Sequence, residues 1–411
     1  PSTPAALRYA LETYGTLKLA QVLEPAIRLA EEGYAVSELQ YRLTRRELKS
    51  LRANTAGPLF LRDGRRPYPV GAVFKQPELA ETLRRLAERG IRDLYEGEIA
   101  QTIDRDMTAN GGLIRLDDLA QVPRPLEREP LHCRYGPYRV LTFPLPGAGR
   151  TLIEMLHVYQ RLPARLRNIE TPEGAVALAQ IIRQAFRDRQ DRPVDPNFYA
   201  QINKQKMLSL KYARTLAQEI AEEVDTRGET THLSAMDQQG NVVALTQSIQ
   251  RVYGSCCASQ ELGFLYNDYM DAFEYDDISH PYYLRPNAVP WASVAPTIVF
   301  RGSEPWLAIG SPGSERITPS ILQVLVRLQR QSPLAAVDAP RLHCSITGKV
   351  SLEAPRMSDE IPYLLEQHGF EVDPREPYSF YLGCVQLVMR EQGRLTGVAD
   401  PRRDGSAGGP H

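Results

Sequence analysis

Residues 227–248 read RGETTHLSAMDQQGNVVALTQS. Two adjacent threonines, Thr230 and Thr231, open a run that alternates polar and apolar residues through 231–237, as a half-buried strand does. QQGN at 238–241 is turn-like, and VVALTQS at 242–248 runs back as a second strand rich in hydroxyls. A threonine hydroxyl becomes a useful nucleophile when its own α-amine serves as base, a device that needs neither histidine nor metal. The other common devices are missing. There is no G-x-S-x-G elbow, no H-E-x-x-H helix and no G-x-G-x-x-G after a strand. The seven histidines, at 132, 157, 232, 280, 343, 368 and 411, never pair at metal-ligand spacing, so each reads as a surface or satisfied core residue and no metal is expected.

The chain has 411 residues, 42% hydrophobic and 24% charged, enough for a large core or two domains. Its formal net charge of −1 gives no electrostatic case for nucleic acid. No apolar stretch approaches the roughly 20 residues of a membrane helix. The five cysteines, Cys133, Cys256, Cys257, Cys344 and Cys384, are odd in number, irregular in spacing and without a C-x-x-C, so they read as buried apolar residues. PLPGAGRT at 144–151 lacks the Gly-Lys-Ser/Thr ending of a phosphate loop and reads as a loop leading into a helix. No cofactor is expected.

The elements around the threonines follow from periodicity. Helical spacing covers 19–34, 78–90 with Gly90 at its end, 175–192 and 206–223. CRYGPYRVLTFP at 133–144 reads as strand, turn, strand. Further strands are expected at 263–268, 295–300, 305–311 and 381–391, and helices at 318–331 and 360–370. DPRRDGSAGGPH, from Asp400 onward, is polar and Gly-rich and reads as a loose tail. Helices flanking several central strands imply a layered α+β or αββα architecture.

TTHLSAMDQQGNVVALTQS, then YGS at 253–255, APTIV at 295–299, GSPGSERIT at 310–318 and GVADPRRDGSAGG at 397–409 resemble the small subunit of γ-glutamyltranspeptidase-like proteins. YGTLKLAQVLEPAIRLAEEGY at 14–34 and TANGGLIRLDDLA at 108–120 resemble that family's large subunit. The likeness runs in order along almost the whole chain. It implies a four-layer αββα N-terminal-nucleophile hydrolase sandwich, of class α+β. It also implies a precursor that cuts itself between Glu229 and Thr230. Residues 1–229 would then be a large-subunit-like region and 230–411 a small-subunit-like region, the two products staying together as a heterodimer. The family's large subunit starts well upstream of the point matching Pro1, with central-sheet strands and an Arg for the substrate carboxylate. The first region is therefore expected to be N-terminally incomplete. The compartment implied is periplasmic or extracellular, with a cytoplasmic one left open.

By the same resemblance, Thr230 is the catalytic nucleophile. Ser248 stands where the family usually has a second threonine, and keeps the hydroxyl that orients the first. Gly313–Ser314 stands for the usual Gly-Gly, whose backbone amides form the oxyanion site. A non-Gly residue there raises the question of whether it reaches the same φ.

The substrate pocket departs further. Gln250 replaces an Asn that helps hold the substrate. YNDYMDAF at 266–273 puts Tyr269 in place of Gln/Glu and Ala272 in place of the Asp that pairs with the substrate α-ammonium. Ala292–Ser293 replaces a Ser-Ser that meets the α-carboxylate. Losing the Asp removes a charge-assisted bond of about 1.5–3 kcal/mol, roughly tenfold to 150-fold in affinity, unless Asp268 or Asp271 compensates. The expected activity is transfer of a γ-glutamyl or related acyl group from a small-molecule amide or peptide to water or an amine, through acyl-Thr230. The alternatives are an acylase for other amides, a non-catalytic homologue, and a cysteine hydrolase built on His343–Cys344.

Overall fold

The computed structural model describes residues 2–122, 125–190, 195, 208–210, 212–213 and 229–409. The chain divides into two compact units, Pro1–Arg128 with Arg251–Asp268, and Glu129–Gln250 with Tyr269–His411. The expected helix over 206–223 lies almost wholly outside the described residues.

The first unit is largely helical. Leu19–Glu32 and Pro77–Arg89 form as their apolar spacing predicts and pack on each other. Two short antiparallel strands, β1 (Tyr34–Ala35) and β2 (Val73–Phe74), close the link between them. Leu86, Leu94, Ile99, Ile103, Leu119 and Leu262 are buried in one cluster. The strand expected at 263–268 does not form. Only Leu265 pairs, in an isolated bridge with Ala258, while Phe264 and Tyr266 pack against the helical cluster. Tertiary burial of two aromatic rings here overrides a strand-like run.

The second unit carries the threonines. β3 (Leu131–Tyr135) and β4 (Tyr138–Thr142) are the expected strand, turn, strand. The hairpin is β5 (Glu229–Met236) and β6 (Val242–Gln250). β7 (Thr297–Arg301) and β8 (Glu304–Gly310) follow as read. β9 (Leu342–Cys344), β10 (Lys349–Leu352) and β11 (Glu371–Pro374) make a separate three-stranded sheet. β12 (Gln386–Glu391) and β13 (Arg394–Val398) end the order. The strand expected from 381 begins only at Gln386, because Phe380–Leu382 is a short 3₁₀ turn.

Among the described residues, β13-β12-β8-β7-β4-β3 form one antiparallel sheet. β5 packs on β8 and β12, and β6 on β7 and β8, so the hairpin is a second β layer. The helices Gly149–Arg161, Pro172–Gln190 and Ile317–Arg327 form a helical layer, with Leu152, Leu156, Ile181, Leu307, Ile309, Ile321 and Leu387 buried among them and the sheet. Trp306–Gly310 is buried without a break, as a strand covered on both faces must be. The other face of the hairpin leaves Leu233, Val243 and Leu245 exposed. The architecture is the α+β class expected, with two β layers and a helical layer described in this unit.

The tail does not behave as its composition suggests. Asp400 and Arg402 are buried, at 1% and 3% exposure. Arg402 makes two 2.7 Å bonds to Glu353 and one of 3.1 Å to Asp400. Asp400 also pairs with Arg341 at 2.5 Å and accepts the Val385 amide at 2.7 Å. Only the residues beyond them stay on the surface, 404–409 all being exposed.

Candidate active site

β5 and β6 pair Thr231 with Gln247 and His232 with Thr246, but the register shifts between Glu229 and Thr231. Thr230 falls at that irregularity, outside the regular ladder. Bulges of this kind re-aim a side chain, and they concentrate near active sites. The Thr230 and Ser248 hydroxyls lie 3.4 Å apart. The Gln250 amide donates to Ser248 Oγ at 3.0 Å, from a backbone at φ 76°. The Tyr269 phenol also hydrogen-bonds Ser248. Burial raises the Tyr269 pKa above its ordinary value, and the bond to Ser248 opposes this. Four expected site residues, Thr230, Ser248, Gln250 and Tyr269, thus meet at the mouth of one hairpin.

His232 packs behind them. Its Nδ1 lies 2.7 Å from Thr246 Oγ1 and its Nε2 3.0 Å from Ser234 Oγ. Both ring nitrogens are occupied, so this is the satisfied core histidine expected. The ring fits because residue 310 has no Cβ; one built there would sit 2.2 Å from His232 Cε1. Gly310→Ala is therefore expected to lower stability by about 1–3 kcal/mol through overpacking, as read from urea unfolding.

Burial depresses the His232 pKa to about 4, and that of His157 likewise. The unfolded chain takes up these protons near 6.5 and the folded chain only near 4, so stability is full above 6.5 and falls as pH drops between the two. At about pH 4.5 the His232 contribution to this loss is on the order of 2–3 kcal/mol. Urea unfolding at about pH 7 and pH 4.5 checks it. The loss between the two is expected to be smaller by about that amount in His232→Gln, and equal losses would refute the assignment.

The GSPGSER loop leaves β8 at Gly310. Ser311 is fully buried, donates to the Pro312 carbonyl at 2.7 Å and accepts the Cys384 amide at 3.0 Å. Val385, next along the chain, is the residue whose amide Asp400 holds. The Asp-Pro-Arg motif, to which sequence reading gave no task, thus anchors the strand start that braces this loop. Gly313 has φ 121° and Ser314 φ 52°, so the serine does reach left-handed backbone. That conformation costs a non-Gly residue of order 1–2 kcal/mol and persists where the surroundings impose it. Ser314 is buried, and among the described residues neither its amide nor that of Gly313 finds an acceptor. Two adjacent free amides on such a turn suit an anion.

Ala272 is buried and offers no charge. Asp268, named as a possible substitute, pairs with Arg251 at 2.9 Å, and Asp271 is exposed. Ser293 is buried beside a cation that sequence reading missed. Arg189, on Pro172–Gln190, donates to Ser293 Oγ at 3.3 Å and to the Ala292 carbonyl at 3.0 Å, and lies over the Trp291 ring. Desolvation lowers its pKa, while Glu315, beside Ser314, raises it. Arg189 thereby braces the Ala292–Ser293 segment and sits within the field of Glu315. Its own helix was legible, but nothing in the sequence marks where that helix ends relative to Ser293.

The cysteine alternative fails on chemistry. Burial pushes the Cys344 thiol up to about 12, and it donates to the Ser345 carbonyl. Both ring nitrogens of His343 lack a hydrogen-bond partner, so no thiol–imidazole pair exists. No group of metal-ligating residues occurs among the described residues, and no helix there is long and apolar enough to cross a membrane.

The chain is 29% identical to a glutathione hydrolase proenzyme of Escherichia coli, across 98% of this chain and 73% of the relative. It is 30% identical to the acylase ACY 1 proenzyme of a Pseudomonas species, across 98% and 74%. Among solved structures, the cephalosporin acylase of Bacillus halodurans superposes with a TM-score of 0.89 at 26% identity, covering all of this chain and 78% of the other. The family model described as gamma-glutamyltranspeptidase matches residues 1–409. With that match over nearly its whole length, the chain belongs to the γ-glutamyltranspeptidase family, a family of enzymes that includes glutathione hydrolases and acylases.

Proposed function

We propose that the protein is a self-processing amidase or acyltransferase whose nucleophile is the Thr230 hydroxyl. The observation that carries this is the Thr230–Ser248 hydroxyl pair at the irregular mouth of the hairpin. Cleavage of the Glu229–Thr230 bond gives residues 1–229 and 230–411 as two products and frees the Thr230 α-amine. An α-amine has a pKa of about 7.7–8.0, so a useful fraction is neutral near pH 7. Thr230 Oγ1 attacks the substrate carbonyl carbon while its proton passes to that amine. The carbonyl oxygen becomes an oxyanion, which the Gly313 and Ser314 amides stabilise. The C–N bond then breaks, the leaving amine takes the proton from the α-ammonium, and the acyl group remains as an ester on Thr230. Water or a second amine resolves the ester by the reverse sequence.

The acyl group is a γ-glutamyl or related group, and Arg189 with Ser293 is the cation and hydroxyl at hand for a substrate carboxylate. Gln250 stays close through its backbone bond to Ser248. A second reading, an acylase for amides without an α-ammonium, is favoured by the buried Ala272 and by Asp268 being paired elsewhere. Steady-state kinetics on a γ-glutamyl anilide and on an N-acyl anilide without the amino group separate the two. Ala272→Asp is expected to raise the ratio of kcat/KM for the first over the second by about tenfold to 150-fold. An unchanged ratio would show that residue 272 does not face the α-amino position.

A further inference from the structure

The first unit carries a basic face that plays no part in the proposed reaction. Between Leu39 and Val70 the chain has eight Lys or Arg residues and two carboxylates, Glu47 and Asp63; eight minus two leaves a surplus of six positive charges. The whole chain carries −1, so the remainder carries −1 minus 6, or −7. Both carboxylates are already engaged. Glu47 accepts from Arg46 at 2.8 Å, and Asp63 from Arg66 at 2.7 Å. Arg42, Arg45, Lys49, Arg52 and Arg65 are exposed, and none of them pairs with a carboxylate among the described residues.

Arg42, Arg45, Lys49 and Arg52 follow one another at steps of three, four and three along the helices Glu38–Arg46 and Leu48–Ala53. Like charges at that spacing repel and destabilise a helix. A helix face that only meets water interleaves the two signs, as Pro77–Arg89 does, where Glu81 pairs with Arg84 at 3.6 Å. The row from Arg42 to Arg52 has no such relief. Arg45, Arg46, Leu48, Lys49, Arg52 and Ala53 line a shallow, open groove of about 500 Å³, within the roughly 300–1,000 Å³ of small-ligand sites. Arg52 Nε donates to the Arg65 carbonyl at 2.7 Å, which brings the turn that holds Arg65 alongside.

We propose that this groove is a docking site for a short acidic peptide segment. Guanidinium forks match carboxylates and phosphates alike, so the extent of the face decides between partners. The row spans about 15 Å of helix, the length of roughly four or five residues of extended peptide. Charges are screened beyond about 8–10 Å at physiological ionic strength, so a segment of that length meets the basic face alone. A DNA duplex or a membrane plane extends past the face and also meets the acidic remainder of the chain. Between residues 39 and 69 no large apolar or aromatic side chain is strongly exposed, so the face has nothing to stack on bases or to enter a bilayer. Leu48 and Ala53 give the groove apolar surface for the methylenes of the peptide. The proposal does not depend on Thr230.

The test is fluorescence anisotropy of fluorescein-labelled pentaglutamate titrated with the full-length protein. Saturable binding is expected at about 20 mM salt, weakened about tenfold at about 150 mM. Arg45→Glu with Lys49→Glu is expected to weaken binding about tenfold or more, because two attractions become repulsions. Arg301→Glu with Arg394→Glu makes the same change in net charge on exposed residues of the second unit, and is expected to leave the affinity within about twofold. Should the first pair shift the urea midpoint, Arg45→Gln with Lys49→Gln is the milder version, with a loss of about threefold expected. No binding at the lower salt, or equal losses in the two reversal pairs, would overturn the proposal. Tighter binding of a short DNA duplex or of phosphatidylserine vesicles than of the peptide would overturn it too, and would assign the face to that partner instead.

Discussion

Thr230→Ala is expected to leave the chain in one piece and to lower turnover by about 10⁴-fold or more, the scale seen when a covalent nucleophile is removed. The expectation follows from how little else is available. His343 and Cys344 are buried with no hydrogen bond between imidazole and thiol, and His232 has both nitrogens engaged in the hairpin. The Thr230 hydroxyl has a second hydroxyl at 3.4 Å and, under the proposed cleavage, a position that would become an α-amine. Thr230→Ser keeps that hydroxyl and is expected to cleave, more slowly, because serine lacks the β-branch that stiffens χ1. Intact mass and an amide-hydrolysis assay on the same preparations read both effects. A Thr230→Ala protein that still divides would end the mechanism.

The second large effect is on stability. Asp400→Ala is expected to lower the unfolding free energy by about 3–5 kcal/mol, because it leaves two buried guanidinium groups short of a counter-charge. Arg341 and Arg402 are both buried, Arg341 fully, and both bond to Asp400. The pairing with Arg341 and Arg402 holds the Asp400 carboxyl below the usual carboxylate range, against the burial that would raise it. Glu371→Ala is the control, since Glu371 is exposed and its partner Lys349 partly so; a far smaller loss is expected there. Urea unfolding of the two variants side by side checks the contrast, and similar losses would contradict the buried network. Self-cleavage should also slow in Asp400→Ala, because Asp400 holds Val385 and the adjacent Cys384 amide braces Ser311.

The hairpin at 229–250 was legible because its alternation and its turn are local signals; Ser248 came from the family resemblance, and the returning strand is what brings it beside Thr230. The GSPGSER loop was legible as a motif, but its φ values of 121° and 52° depend on the buried surroundings that hold Ser314. The tail was misread for a physical reason. DPRR is polar by composition, and its partners Arg341 and Glu353 lie far away in sequence, so burial through pairing leaves no local trace. Tyr269 was visible as a residue type, while its bond to Ser248 is a tertiary fact with no local trace. The run at 263–268 looked like a strand because Phe264, Leu265 and Tyr266 are strand-prone residues. Their rings are used instead to pack on helices.

The most direct test of the central claim is the intact mass and N-terminal sequence of the purified full-length protein. Two pieces, one beginning Thr-Thr-His-Leu, are predicted. A single uncut chain that persists for days over a range of pH, or a break at any other bond, would contradict Thr230 as a self-released nucleophile.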